Sequence, residues 1–318
     1  MRIDLITNPR AGRGRPGLLR ALLRAGGHLG EAEFHVTTRP GEAFLFAKEV
    51  LNRGSDLVLA AGGDGTVNEV ASALVGTKTC LGVIPTGSGN GLGRGLGVPL
   101  DVPAALEALR TAEPRPMDVG FVNGRPFFNV AGAGFDAAIG SAFQARGSNG
   151  RDRGLLGYFE IGFKEVWNSD SRSILLETDR ESIAVRALVV AFANGRQYGA
   201  GAVIAPQAFL DDGFLNVVVF EESTTIETLA HVPKLFMDGV ESFPAYRHVA
   251  TRRAVLRTDR PWGHHRDGEP DGEDPVLEVT LGPSALNVLV PARTLRDPSG
   301  PFLPRRGGDR NAARAVVR

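Results

Sequence analysis

Apolar positions in the first third of the chain come as short runs separated by amphipathic stretches. Arg2 to Thr7, Glu33 to Val36, Leu57 to Ala61 and Cys80 to Ile84 have the length and apolar content of buried strands. Between them lie stretches with helical spacing. Pro16 opens one, carrying Leu18, Leu19, Leu22 and Leu23; Gly41 to Arg53 forms a second. Val67, Val70, Ala71 and Leu74 mark a third over 66–75, and Val102–Leu109 a fourth. This alternation predicts an α/β domain with a parallel sheet whose ligands gather at the C-terminal ends of its strands.

Around Pro114-Arg115-Pro116 the texture changes. Met117 to Phe128 reads as strand, Asn123-Gly124 turn, strand. Short strands then dominate, at Ile174–Thr178, Val185–Ala193, Leu215–Phe220, Ala254–Thr258, Val276–Leu281 and Ala285–Val290. Helices near 155–167 and 224–238 interrupt them. The expected organisation is an α/β domain over 1–115, a mostly antiparallel β domain over 116–292, and a loose Arg/Pro/Gly-rich tail over 293–318.

Two strand ends carry the chemistry. After Leu57–Ala61 comes Gly62-Gly63-Asp64-Gly65-Thr66; after Cys80–Ile84 comes Pro85-Thr86-Gly87-Ser88-Gly89-Asn90. A glycine turn between a strand and a helix start lets backbone N–H groups converge on an anion, which the helix dipole also favours. Asn8 and Arg10, at the end of the first strand, are candidate supplementary phosphate contacts. Asp64 sets the type of site. A carboxylate beside phosphate is repelled unless a cation lies between them or the group takes part in chemistry.

Other phosphate and nucleophile motifs fit worse. No Gly-Lys dipeptide occurs, which excludes a Walker A loop. Gly12-x-Gly14-x-x-Gly17 matches the dinucleotide fingerprint in form, but prolines interrupt it and the following strand ends in Thr37-Thr38 rather than an acid. Ser88 has Thr86 and Asn90 two residues away on either side, where a nucleophile elbow carries glycines.

Composition adds limits. The 318 residues carry 36 basic and 36 acidic side chains, so nothing marks nucleic acid as a partner. The one cysteine, Cys80, suits a reducing cytoplasm. No apolar run approaches the roughly 18 residues of a membrane span.

Taken as an ordered set, these motifs resemble the diacylglycerol kinase catalytic domain, shared by bacterial lipid kinases, diacylglycerol kinases, sphingosine kinases and ceramide kinases. The set comprises Gly62 to Thr66 with Asn68-Glu69, Pro85 to Asn90, Gly134-Phe135-Asp136-Ala137, Asn194-Gly195, Ala205-Pro206 to Asp211-Asp212-Gly213, and Asp267-Gly268-Glu269. It spans about residues 2 to 291. Gly91 stands where diacylglycerol kinases usually carry aspartate, which is more like the sphingosine kinase pattern, and Arg10 replaces a frequent lysine.

The resemblance implies an ATP-binding α/β domain and a β-sandwich domain for the lipid substrate. It places Thr37, Gly63, Asp64, Gly65, Thr66, Val67, Asn68, Glu69 and Ser88 where relatives bind ATP; Gly62, Gly87 and Asn90 complete the two turns. Phe209 and Phe214 (through carbonyls) and Asp212 fall at a structural magnesium, and Glu269 at the proposed catalytic base. Asp64 is the second catalytic candidate, a Mg²⁺ holder, with Asp118 and Asp136 as candidate second carboxylates. Without the resemblance, His264 to Asp274 would read as a charged, solvated hairpin and Asp211-Asp212-Gly213 as an ordinary turn.

The function expected is ATP-dependent transfer of a phosphoryl group to a hydroxyl of a lipid such as diacylglycerol or a sphingoid base, with Mg²⁺. Its setting is cytoplasmic with transient visits to the membrane surface, and a homodimer is the candidate assembly. The alternatives are a NAD kinase and a non-enzymatic nucleotide- or lipid-binding protein.

Overall fold

The structure is a computed structural model that describes residues 2–9, 32–87, 89–134, 171–199, 202–223, 234 and 239–304. The helices expected from Pro16, near 155–167 and near 224–238 lie outside these residues. The chain divides into two compact units, one of residues 1–119, 209–212 and 283–318, the other of residues 120–208 and 213–282.

In the first unit, strands β1 (Ile3–Thr7), β2 (Ala32–Val36), β3 (Leu57–Gly62) and β4 (Cys80–Pro85) stand in the order β2-β1-β3-β4, every pairing parallel. β3 is buried along its whole length, as its sequence LVLAAG requires. Helices α1 (Glu42–Asn52), α2 (Asp64–Leu74), α3 (Gly91–Gly95) and α4 (Val102–Arg110) connect or follow the strands. Asp101 caps α4 by accepting the Ala104 N–H at 3.2 Å. Alternate strand residues Ile3, Leu5, Leu57, Leu59 and Ile84 form one core cluster with Val102, Leu106 and Leu109 of α4. Cys80 is buried there, and desolvation pushes its thiol up to about 12, so it behaves as a small apolar residue.

Residues 293–318 read from composition as a loose tail, but helix α5 (Ala292–Arg296) takes in the first of them. Arg293 donates to the Gly97 carbonyl at 2.8 Å, and buried Phe302 lies against the Arg115 guanidinium. These anchors are single side chains spaced along a polar stretch, a pattern that composition does not reveal.

The second unit is β-rich. β6 (Arg125–Phe127) folds back on the end of β5 (Glu113–Val122) across Asn123 and Gly124, both at positive φ (48 and 76°), as an Asn-Gly hairpin turn requires. The other strands are β7 (Val130–Ala133), β8 (Arg172–Thr178), β9 (Ser182–Ala193), β10 (Gln197–Gly199), β11 (Ala202–Val203), β12 (Leu215–Glu221), β13 (Tyr246–Thr251), β14 (Arg253–Arg266) and β15 (Glu269–Val290). β12 pairs antiparallel with β13 and β9, β9 with β7 and β8, and β14 with β7, β8 and β15. Two strands expected at 276–281 and 285–290 belong to the one long β15. β7, with the sequence VAGA, shows no alternation from which a strand could have been read. Phe127, Phe192, Trp262, Leu256 and Leu277 lie in one core of this unit, so Phe127 is a packing residue.

Candidate functional site

The four parallel strands end on one edge. Thr7 lies opposite Val36 and Ala61, and Gly62 opposite Pro85, so Asn8, Thr37, Gly63 and Thr86 leave the sheet side by side. Backbone bonds hold these exits together. Asn8 N–H donates to the Ala61 carbonyl at 3.1 Å and Thr86 N–H to that of Gly62 at 2.9 Å. Buried Thr37 donates its N–H (2.9 Å) and its hydroxyl (3.3 Å) to the Thr7 carbonyl. Arg10 and Ser88 lie outside the described residues.

The two glycine turns touch. A Cβ on Gly87 would overlap the Cα of Gly63, and one on Gly62 would overlap the Thr66 side chain, so only glycine permits this approach. α2 starts at Asp64, two residues before the helix expected from periodicity, and puts Gly65, Thr66, Val67 and Asn68 in its first turns. The first amides of a helix have no partner within it, which suits a phosphate. Asn90 has φ 57°, accepts the Gly87 N–H at 2.9 Å and donates to the Gly87 carbonyl at 2.8 Å. Its side chain thus closes the second turn on itself.

Asp64 is not in an exposed turn. It is half-buried, and its two carboxylate oxygens accept the N–H groups of Asn90 (2.8 Å) and Gly91 (2.6 Å). Burial raises its pKa, against the two amides and the nearby Arg94, which lower it. Glu69 is likewise engaged: it accepts the N–H groups of Gly41 (2.8 Å) and Ala43 (3.0 Å) and so caps α1 from α2.

In the second unit, Asp267 accepts three successive backbone amides, Phe128 (2.8 Å), Asn129 (2.7 Å) and Val130 (3.1 Å). Asn194 donates to the Phe128 carbonyl at 3.0 Å, while the amides of Asn194 and Gly195 reach the Asn129 carbonyl at 2.9 and 3.0 Å. Asn194-Gly195 and Asp267 therefore meet at residues 128–130. Asp267 and Gly268 sit at positive φ in the β14–β15 turn, and Glu269 follows, exposed. The turn rests on buried His265, whose Nδ1 receives the Gly268 N–H at 3.4 Å and whose Nε2 meets the Tyr198 hydroxyl. Desolvation lowers His265 to about 3, so it stays neutral. Composition alone marked neither Tyr198 nor His265; the one available signal was a histidine within a strand.

Asp118 is buried and accepts the Ser284 N–H at 2.7 Å, the contact of a structural group; Asp136 lies outside the described residues. Phe209, Asp212 and Phe214 offer two carbonyls and a carboxylate, an all-oxygen set of the kind a hard divalent cation takes. Asp211 cannot join them, because its carboxylate is held by Arg115 at 2.5 Å and the Leu303 N–H at 2.7 Å. Asp4, Glu33 and His35 also bring ligand atoms within 4.8 Å of one another. Arg2 (3.0 Å) and Arg53 (2.9 Å) already neutralise Glu33, and the Asp4 carboxylate accepts from His35 Nε2 at 2.9 Å, so this cluster is an ion-pair network.

Two family models match successive parts of the chain. Residues 2–122 match the model of the diacylglycerol kinase catalytic domain, and residues 129–290 that of the YegS C-terminal NAD kinase beta sandwich-like domain. A probable lipid kinase YegS-like of Cronobacter sakazakii is 34% identical over 85% of this chain and 89% of its own. One of Pseudomonas aeruginosa is 35% identical over 84% and 88%. A solved structure of a putative diacylglycerol kinase from Bacillus anthracis superposes with a TM-score of 0.77, covering 91% of this chain and 97% of that one at 24% identity.

Proposed function

The chain belongs to the diacylglycerol kinase catalytic-domain family, and from that membership we propose that it is an ATP-dependent lipid kinase. The observation that carries the nucleotide half is the pair of interlocked glycine turns at one edge of the sheet, where backbone alone lines the approach between Gly63 and Gly87. ATP phosphates lie there against the first amides of α2, with Asn8 and Thr37 at the neighbouring strand exits.

In the reaction, the oxygen of a lipid hydroxyl forms a bond to the γ-phosphorus, the bond from that phosphorus to the β,γ-bridging oxygen breaks, and ADP leaves. Glu269 accepts the proton that the hydroxyl gives up. Its exposure leaves the carboxylate accessible, and the tethering of Asp267 and Gly268 fixes the backbone from which it projects. Mg²⁺ supplies charge neutralisation on the phosphates, and Asp212 with the carbonyls of Phe209 and Phe214 is the set that would hold a structural ion. Among the described residues no helix is long and apolar enough to cross a membrane. A lipid acceptor is itself a membrane component, so the reaction takes place at a membrane surface.

Incubating the purified chain with radiolabelled ATP, Mg²⁺ and a panel of diacylglycerol, sphingoid base and ceramide in mixed micelles tests the reading. A labelled phospholipid product is expected. Because the second matching model is NAD kinase-like, NAD is included as acceptor; conversion of NAD to NADP with no labelled lipid would overturn the proposal.

A further inference from the structure

Sequence alone leaves two readings for an aspartate within a phosphate loop: it holds a cation, or it reacts. The geometry offers a third. Both oxygens of Asp64 are met by main-chain donors, Asn90 N–H at 2.8 Å and Gly91 N–H at 2.6 Å, lengths typical of charge-assisted bonds. Gly89 packs so closely on the same carboxylate that a Cβ there would overlap Oδ2, and Arg94 donates to the Gly89 carbonyl at 2.9 Å. Both oxygens of Asp64 thus have main-chain donors from the neighbouring turn, which partly offset the cost of burying the carboxylate.

We propose that Asp64 is a positioning residue: its carboxylate clasps the backbone of Asn90 and Gly91, holds the second glycine turn against the first, and does so without ligating a metal. The inference deepens the nucleotide reading above and rests on it for its consequence. Gly91 matters here as a donor: its N–H makes the shorter of the two bonds, and it begins the five-residue helix α3. The clasp also accounts for how α3 forms from the sequence GLGRG, whose three glycines disfavour a helix. Its start is tied to Asp64 rather than stabilised by local propensity.

Two variants of the full-length protein test this, Asp64→Asn and Gly89→Ala. The first leaves one neutral amide oxygen and turns an NH₂ group toward the other donor. The second keeps the charge and pushes the turn off it. Without any ligand, amide hydrogen exchange at Asn90 and Gly91 should quicken about 10- to 100-fold in both, as for loss of hydrogen bonds to a charged group. Exchange in the β3 strand, unchanged, would show that the fold is kept. Binding of ATP, measured by calorimetry, should weaken by a similar factor in both variants whether Mg²⁺ or EDTA is present.

Unchanged exchange at Asn90 and Gly91 in Asp64→Asn would overturn the clasp. So would affinity lost in Asp64→Asn only with Mg²⁺ while Gly89→Ala binds as wild type, the signature of a metal ligand. A wild type that binds no adenine nucleotide defeats the nucleotide reading instead, and the exchange result then decides the clasp by itself.

Discussion

Asp271 receives Arg266 through two nitrogens, Nε at 2.6 Å and Nη2 at 3.0 Å, and also pairs with Arg125 at 2.5 Å. With a side chain only 5% exposed, this carboxylate joins β14 to β6, whose Pro126 carbonyl takes a further bond from Arg266 at 2.6 Å. Removing one partner of a buried pair leaves uncompensated charge. Asp271→Asn is therefore expected to cost about 3 kcal/mol in denaturant unfolding. Glu273→Gln, exposed in the same turn, should stay within about 0.5 kcal/mol. Equal stabilities would contradict the pairing.

Glu269 is the group assigned to take the hydroxyl proton. Glu269→Gln keeps shape but cannot accept a proton at neutral pH, so kcat with lipid should fall by at least about 10². ATP affinity and melting temperature should change little, because the side chain is exposed. A silent Glu269→Gln would remove the assignment.

Gly87 tests the interlock of the two turns. An alanine Cβ would overlap the Gly63 backbone, which cannot rotate away as a side chain could. Gly87→Ala should cost about 1–3 kcal/mol of stability, as overpacking does, and reduce ATP affinity. Gly124→Ala makes a useful contrast: its Cβ meets nothing within 4 Å, so only the strain of φ 76° acts, in the other unit, and ATP affinity should be untouched. Calorimetry of ATP binding on the two variants separates these outcomes.

His265 predicts a pH dependence. Its folded pKa, about 3, lies below the unfolded value near 6.5. The unfolded chain therefore binds the extra proton between these values, and stability falls as pH drops through that window. From one such group the slope approaches about 1.4 kcal/mol per pH unit below 6.5. Between pH 7 and 5 the wild type should lose about 2 kcal/mol more than His265→Gln. His248, also lowered by burial, contributes in both proteins and cancels. Parallel stability-versus-pH curves would show that His265 does not titrate this way.

Much of the first unit was readable from periodicity, since continuous apolar strands and 3.6-residue spacing depend on neighbours in sequence. The end of β1 at Thr7 shows it, with β3 and β4 running one residue past the expected Ala61 and Ile84, as does the positive-φ pair Asn123-Gly124. What stayed hidden depends on partners far along the chain. Asp267 and its three amide donors are separated by 137 to 139 residues, and Asp64 and its two by 26 and 27. A carboxylate in a glycine turn looks the same on paper whether water, a cation or backbone N–H groups surround it. The same holds for the acidic run after His264. Asp271 is nearly buried against Arg266 while Glu273 lies exposed, a division no composition contains.

Glu69 carries a consequence for motion. It belongs to α2, whose first residue follows directly on Gly63, yet its carboxylate terminates the start of α1 at Gly41 and Ala43. Glu42, one residue on from Gly41, holds the amides of Thr38 and Arg39 at 2.6 and 3.3 Å. The chain from Thr37 to Ala43 and the chain from Gly63 to Glu69 thus share one mechanical linkage, and neither can swing without dragging the other. A molecule seated on the glycine turn would be felt at Thr38, more than 20 residues upstream, as a change in amide protection.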